Sequence, residues 1–208
     1  MAEVVLFHSV LGLRPGVIAA AERLRAAGHT VHTPDLYDGE VFDDLDDGSR
    51  KEDALGYQEI ARRAREAVAG LPAGLVFAGF SLGVVHAEVL AASRPGALGA
   101  VLMHGAVPVE GLSEYFGVDR WPEGVPVQVH YAASDPWVEA EEEVAPLGDA
   151  VRGAGAEFEE HAYPGSGHLF TERDLPGYDL ASSEEMWEWV LAFLDRVDAR
   201  GSDVEGAR

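Results

Sequence analysis

The chain contains no cysteine, and Lys51 is its single lysine among 208 residues. Without cysteine there is no disulfide framework, no thiolate metal site and no sulfur nucleophile, so any covalent catalysis must use oxygen or nitrogen. Positive charge is scarce as well: fifteen basic residues face thirty-seven acidic ones, for a formal charge of -22. Such a surface repels nucleic acid and anionic membranes, so neither is an expected partner, and it slows anionic substrates unless a local arginine holds them. No apolar run approaches the ~18 residues of a membrane span, and no basic stretch precedes Val4-Val5-Leu6-Phe7. The expectation is a soluble, cytoplasmic protein. With 47% hydrophobic residues the chain has enough material for one full core. A domain of this length buries about 70% of its unfolded surface and needs no structural metal. Residues 1–197 read as a single domain followed by a polar tail, Asp198 to Arg208, and no internal repeat is visible.

Short β-branched or apolar runs alternate with longer helical patterns, the rhythm of βα units wound onto a parallel sheet. Six strands are expected: Val4 to His8, Thr30 to Pro34, Leu75 to Phe80, Ala100 to His104, Pro126 to Ala132 and Glu157 to Tyr163. Pro15 opens a helix that stops at Gly28. A second helix is expected from about Glu52 to Ala69, a third directly after Ser81, and a fourth from Glu139 to Arg152 that Pro146 interrupts. The last begins with the capping-box pair Ser182 and Glu185 and carries an apolar stripe of Met186, Trp189, Val190 and Phe193. Phe42 to Lys51 reads as a solvated acidic loop, since it lacks the EF-hand spacing and its terminal glutamate. Gly105 to Gly124 and Pro164 to Ser183 read as long irregular connections, too short for a large lid.

The chemistry concentrates in three places. Gly79-Phe80-Ser81-Leu82-Gly83 fits G-x-S-x-G where an apolar strand gives way to a helical pattern, a setting that exposes a serine hydroxyl on a sharp turn. The bland reading of this pentapeptide is a glycine-flanked turn with a capping serine. A hydroxyl needs an imidazole base and a group to orient it. Asp135, in Ala132-Ala133-Ser134-Asp135-Pro136, follows the fifth strand, and His168, in Pro164-Gly165-Ser166-Gly167-His168, follows the sixth. Ligands collect at the carboxyl ends of parallel strands, which places all three on one rim, in the order Ser, Asp, His of the α/β-hydrolases. Asp135 alone reads equally as a helix cap and His168 as a loop histidine. His8 and His104 end strands and are placed to line the rim, His32, His130 and His161 lie within strands and His86 lies on the helix after Ser81; most of these read as packing or surface residues. The backbone N–H of Leu82, and one from Ser9-Val10-Leu11-Gly12 (Val10), are the expected oxyanion donors. Tyr37, Trp137 and Phe170 adjoin these motifs and are candidate pocket walls.

With these residues in hand the chain resembles the dienelactone hydrolase family of α/β-hydrolases over nearly its whole length. The match includes the His8 to Gly12 turn, Pro34-Asp35-Leu36-Tyr37, Ser134-Asp135 and Gly167-His168-Leu169-Phe170, in family order. The resemblance implies a lidless α/β fold, a mostly parallel sheet with helices on both faces, that cleaves small esters or lactones with no metal or cofactor. Three positions depart from the family's best-known members. Ser81 stands where they carry cysteine, and Ser9 where they carry a glutamate that regulates the thiolate. Glu172 stands where they place an arginine that holds a substrate carboxylate, with Arg173, Arg50 and Arg62 as the nearest substitutes. A neutral ester, lactone or thioester is therefore the expected substrate rather than dienelactone itself. A catalytically silent shell that binds a small ligand, and an acyl transferase or perhydrolase using the same residues, remain alternatives, and a homodimer is left open.

Overall fold

The computed structural model describes the backbone of residues 1–206 and the side chains through residue 200. Six strands form one parallel sheet: β1 (Glu3–Phe7), β2 (Thr30–His32), β3 (Leu75–Phe80), β4 (Gly99–Met103), β5 (Val127–Ala132) and β6 (Phe158–Tyr163). Their order is β2-β1-β3-β4-β5-β6. Every residue of β3, β4 and β5 is buried, as expected for strands covered on both faces, and each fully buried large apolar side chain contributes roughly 1.5–3 kcal/mol.

The helices are α1 (Pro15–Ala26), α2 (Leu45–Leu55), α3 (Tyr57–Val68), α4 (Leu82–Ser93), α5 (Val109–Phe116), α6 (Ala145–Gly153) and α7 (Leu180–Gly206). The chain steps from β1 outward to β2 and then back across β1 to β3, so right-handed crossovers put α1 on one face and α3 to α6 on the other. An Arg23–Glu184 ion pair joins α1 to α7 on the first face. The reversal of direction leaves a crevice beyond the carboxyl ends of β1 and β3, where an open α/β sheet binds its ligands.

The strand expectations hold to within two residues at each end; several helical ones do not. The acidic stretch from Phe42 is half helix: Asp44 accepts a hydrogen bond from Asp47 N–H and opens α2, with Asp46 and Asp47 favourably placed against the helix dipole. The single helix expected from Glu52 to Ala69 is two, because Gly56 adopts φ 78° and breaks it into α2 and α3. Within the stretch from Gly105 to Gly124, α5 forms and ends on the left-handed Gly117. Pro146 does not interrupt a helix: it sits in the first turn of α6, entered through a π turn over Ala140–Val144. Helix α7 starts three residues earlier than the capping box implied, because the Asp179 carboxylate accepts from Ser182 N–H and takes the capping role. Its buried stripe holds Met186, Val190 and Phe193, but Trp187 replaces Trp189, which lies exposed and stacks on His161 at 4.6 Å. The helix runs through most of the stretch Asp198 to Arg208; Ala207 and Arg208 lie outside the described residues.

Arg14, directly before α1, ties the loops of the rim together. Its guanidinium donates to the Phe42 carbonyl, to Asp43 at 2.9 Å and to Asp174 at 2.5 Å, and lies 3.7 Å from Glu172. The segment after β1 is thereby fastened to the segment that carries His168.

Candidate active site

Ser81 sits between β3 and α4 with φ 50° and ψ -113°, a conformation that costs a non-glycine residue roughly 1–3 kcal/mol. Its N–H is held by the Met103 carbonyl at 2.8 Å. The two glycines of the motif make the turn sterically feasible. A Cβ on Gly79 would fall 2.1 Å from the Gly83 carbonyl oxygen, and one on Gly83 would fall 2.6 Å from the Phe7 oxygen and 2.8 Å from the His8 oxygen. The start of α4 therefore rests directly on the end of β1, which brings Leu82 beside the loop from His8 to Gly12.

The three expected chemical side chains converge. His168 Nε2 is 2.8 Å from Ser81 Oγ, and His168 Nδ1 is 2.7 Å from Asp135 Oδ2. Asp135 Oδ1 accepts from Trp137 N–H at 3.0 Å, so both carboxylate oxygens are committed and the side chain is buried. Asp135 therefore caps no helix: its Oδ1 closes a local turn on Trp137 N–H, well before the next helical turn at Ala140, while its Oδ2 meets His168. The loop that carries His168 is tightly packed there: Gly167 passes so close to the Gly177 carbonyl that a Cβ would lie 2.5 Å from it. The arrangement can move a proton from the hydroxyl to the imidazole while the carboxylate stabilises the charged ring.

Ser81 and His168 open into a cavity of about 240 Å³ that Val10 and Leu82 also line. Leu82 is the first residue of α4, so its N–H has no intrahelical acceptor, and Val10 N–H has none among the described residues. Both N–H groups are available to an oxyanion. Of the three expected walls, Trp137 lines the cavity, 56% exposed and 6.1 Å from the His168 ring. Tyr37 and Phe170 do not. Tyr37 is buried against His8 and Phe42, and Phe170 is buried against His104 and Tyr163; both pack beneath the rim.

The rest of the lining was not anticipated. Leu45, Ser49, Glu52 and Tyr57 come from α2 and α3, Gly105 to Val107 from the segment after β4, and Glu143 from the π turn. Burial raises the Glu52 carboxyl to about 7, with the charge of Asp53 adding to the effect, and burial also raises Glu143. Both glutamates fall within expected helices, one starting near Glu52 and one at Glu139, but nothing in the sequence points either side chain toward the cavity, which depends on how these segments pack.

Glu172 does not face this cavity. It is buried beside Arg14, with both carboxylate oxygens lacking a hydrogen bond, and burial raises it to about 7. It is a structural group, and the expectation that it repels substrate carboxylates loses its geometric basis. Nor does any arginine substitute: Arg50 pairs with Asp47, Arg62 with Glu59 and Glu66, and Arg173 lies exposed beside Glu184. Among the other histidines, His86 is buried and lowered to about 3, chiefly by desolvation, and His130 is held between Tyr163 and Gln128, away from the cavity. His104 is the exception. It lines the cavity with φ 67°, and its ring lies 6.1 Å from that of His168, with Nε2 on Thr171 Oγ1 at 3.0 Å.

An open parallel sheet, a strained serine at the strand-to-helix turn after β3 and an imidazole delivered from the loop after β6 define the α/β-hydrolase class. Solved structures agree with that fold. A dienelactone hydrolase-like promiscuous phosphotriesterase from metagenomic libraries is 22% identical, with 95% of this chain and 87% of that chain covered at a TM-score of 0.75. A cold-adapted esterase from an Arctic intertidal metagenomic library is 19% identical, over 94% of this chain and 82% of that one, with a TM-score of 0.66. A thermophilic esterase from the Planctomycetes species Thermogutta terrifontis is 18% identical, over 94% and 83%, with a TM-score of 0.61. No curated protein matches the chain. The model of the dienelactone hydrolase family matches residues 1–198. The chain belongs to the dienelactone hydrolase family, and with it to the carboxylic ester hydrolases.

Proposed function

We propose that the protein hydrolyses a small, uncharged carboxylic ester or lactone through an acyl-enzyme on Ser81. His168 takes the hydroxyl proton as Ser81 attacks the carbonyl, Asp135 holds the imidazole tautomer and stabilises its cation, and Val10 and Leu82 N–H groups receive the oxyanion. Collapse expels the alcohol, which takes its proton from His168. Water, deprotonated by the same ring, then releases the acid. The observation that carries this reading is the continuous hydrogen-bonded line from Ser81 Oγ through His168 to Asp135 inside a cavity.

The test is covalent. A fluorophosphonate probe is expected to label the wild type and to leave Ser81→Ala unlabelled. A folded wild type that resists labelling would instead favour a ligand-binding shell. Reaction with phosphorus electrophiles has precedent on this fold, since Thermogutta terrifontis esterase 2 has been solved phosphoramylated by tabun; it is 19% identical over 94% of this chain and 83% of that one, with a TM-score of 0.63.

The lining narrows the substrate. About 240 Å³ admits a short acyl or lactone moiety, and among the described residues the lining contains Glu52 and Glu143 but no lysine or arginine. Because the raised Glu52 carboxyl is neutral below about pH 7 and anionic above it, discrimination against carboxylate-bearing esters should grow with pH. The ratio of kcat/KM for a neutral ester to that for its carboxylate-bearing isostere is expected to rise on the order of tenfold between pH 6 and pH 8. That corresponds to the ~1.4 kcal/mol that one charge exerts on another ~6 Å away at an intermediate dielectric. Taking the ratio cancels the titration of the shared base. Glu52→Gln should flatten the profile; a flat wild-type profile would remove Glu52 from substrate selection.

A further inference from the structure

The proposed oxyanion site uses the N–H of Val10, a residue in a loop, and loop peptides rotate unless something holds them. The loop from Ser9 to Gly12 is held at nearly every polar group. Ser9 Oγ accepts from Leu11 N–H at 3.2 Å, and the Ser9 carbonyl accepts from Gly12 N–H at 3.1 Å. The Ser9 carbonyl has a second and shorter partner, His8 Nδ1 at 2.7 Å. The other ring nitrogen of His8, Nε2, lies 3.0 Å from Leu36 N and can only accept from that N–H. The tautomer follows: Nε2 is bare, so Nδ1 carries the proton and donates it to the Ser9 carbonyl. The ring is fully buried, packed edge-on against Tyr37 at 4.9 Å, and burial keeps it neutral.

A trans peptide is planar, with its carbonyl and the following N–H pointing in opposite directions. Fixing the Ser9 carbonyl on the His8 side therefore aims Val10 N–H the other way. That N–H has no acceptor among the described residues, and Val10 lines the cavity that holds Ser81. The geometry points to His8 as a positioning residue for hydrolysis: through Leu36 N–H its tautomer is set, and through Nδ1–H it locks the Ser9–Val10 peptide with the N–H toward the developing oxyanion. The inference rests on the hydrolase reading above and adds to it a residue outside the Ser81–His168–Asp135 line. Rotation of this peptide would present a carbonyl oxygen where a negative charge must form.

Asparagine and leucine have the same branching and similar volume, but only asparagine can donate from the position of Nδ1. Comparing His8→Asn with His8→Leu thus isolates the hydrogen bond from the packing change. His8→Leu is expected to lower kcat by 10²–10³-fold with KM within about twofold, the pattern of a lost transition-state contact, and to slow fluorophosphonate labelling in parallel. His8→Asn is expected to stay within about fivefold of wild type. Equal losses in the two variants, or none in His8→Leu, would overturn the proposal. Should neither variant fold, the ¹⁵N spectrum of the wild-type imidazole decides: a neutral Nδ1–H tautomer supports the proposal and an Nε2–H tautomer overturns it. A folded wild type that the probe does not label would fell the hydrolase reading and this inference with it. Normal labelling of wild type and His8→Leu alike would fell this inference alone.

Discussion

Ester hydrolysis by His168→Ala is expected to fall 10⁴–10⁶-fold in kcat, with the fold unchanged by circular dichroism, because among the described residues no other imidazole hydrogen-bonds Ser81 Oγ. Among the described residues His104 is the other histidine lining the cavity, and its Nε2 is engaged by Thr171. Asp135→Asn should cost about 10⁴-fold for a reason specific to this site. The Trp137 N–H needs an oxygen acceptor at Oδ1, so the new amide must keep its oxygen there and turn its NH₂ toward His168. His168 Nδ1 then has to accept, which moves the ring proton to Nε2, facing Ser81, and the base can no longer take the hydroxyl proton. Initial rates on a short-chain ester under saturating conditions read both effects. Undiminished turnover in His168→Ala would remove it as the base.

Gly79→Ala is expected to be severely destabilising. The added carbon would meet the Gly83 carbonyl oxygen at 2.1 Å, its carbon at 2.2 Å and Val84 N at 2.7 Å, all backbone atoms in the first turn of α4. No rotamer change relieves such a contact, so the helix must lift off the sheet or β3 must bend. Overpacking usually costs about 1–3 kcal/mol. With rigid partners on every side the loss should exceed ~3 kcal/mol, a large share of a typical domain's stability. Gly153→Ala is the control: it lies within α6, and a Cβ there meets nothing within 4 Å. It should be neutral or add up to ~1 kcal/mol by restricting the unfolded chain. Urea midpoints compare the two, and a Gly79→Ala protein as stable as wild type would show that the elbow yields more readily than its geometry implies.

The strands were legible because β3, β4 and β5 are apolar runs bounded by turn residues. Two of the helical misreadings come from side chains that cap the backbone locally. Composition marked Phe42 to Lys51 as loop, yet Asp44 caps the backbone and Asp46 and Asp47 suit a helix N-terminus, so the same acidic residues that read as solvated also start α2. Asp179 outcompetes Ser182 as the cap of α7 for an equally local reason: its carboxylate reaches Ser182 N–H. Tyr37 and Phe170 were placed on the rim by adjacency in sequence, but adjacency does not determine whether a ring points into a cavity or beneath it. Glu172 shows the same failure more sharply, because a side chain aligned with a substrate-binding position is turned inward onto Arg14.

By itself the order of residues determined the sheet, the elbow and the three side chains that meet at its rim, because each depends on local chemistry: alternation of apolar runs, glycines at a turn too tight for a Cβ, and polar groups at strand ends. Tertiary structure alone decided the character of the cavity and the aim of the Ser9–Val10 peptide. Glu52, Glu143 and Tyr57 reach the cavity from segments well removed from Ser81 in the chain, and His8 is locked by Leu36 N–H across twenty-eight residues. Such contacts depend on how separate elements pack, and no periodicity along the chain encodes them.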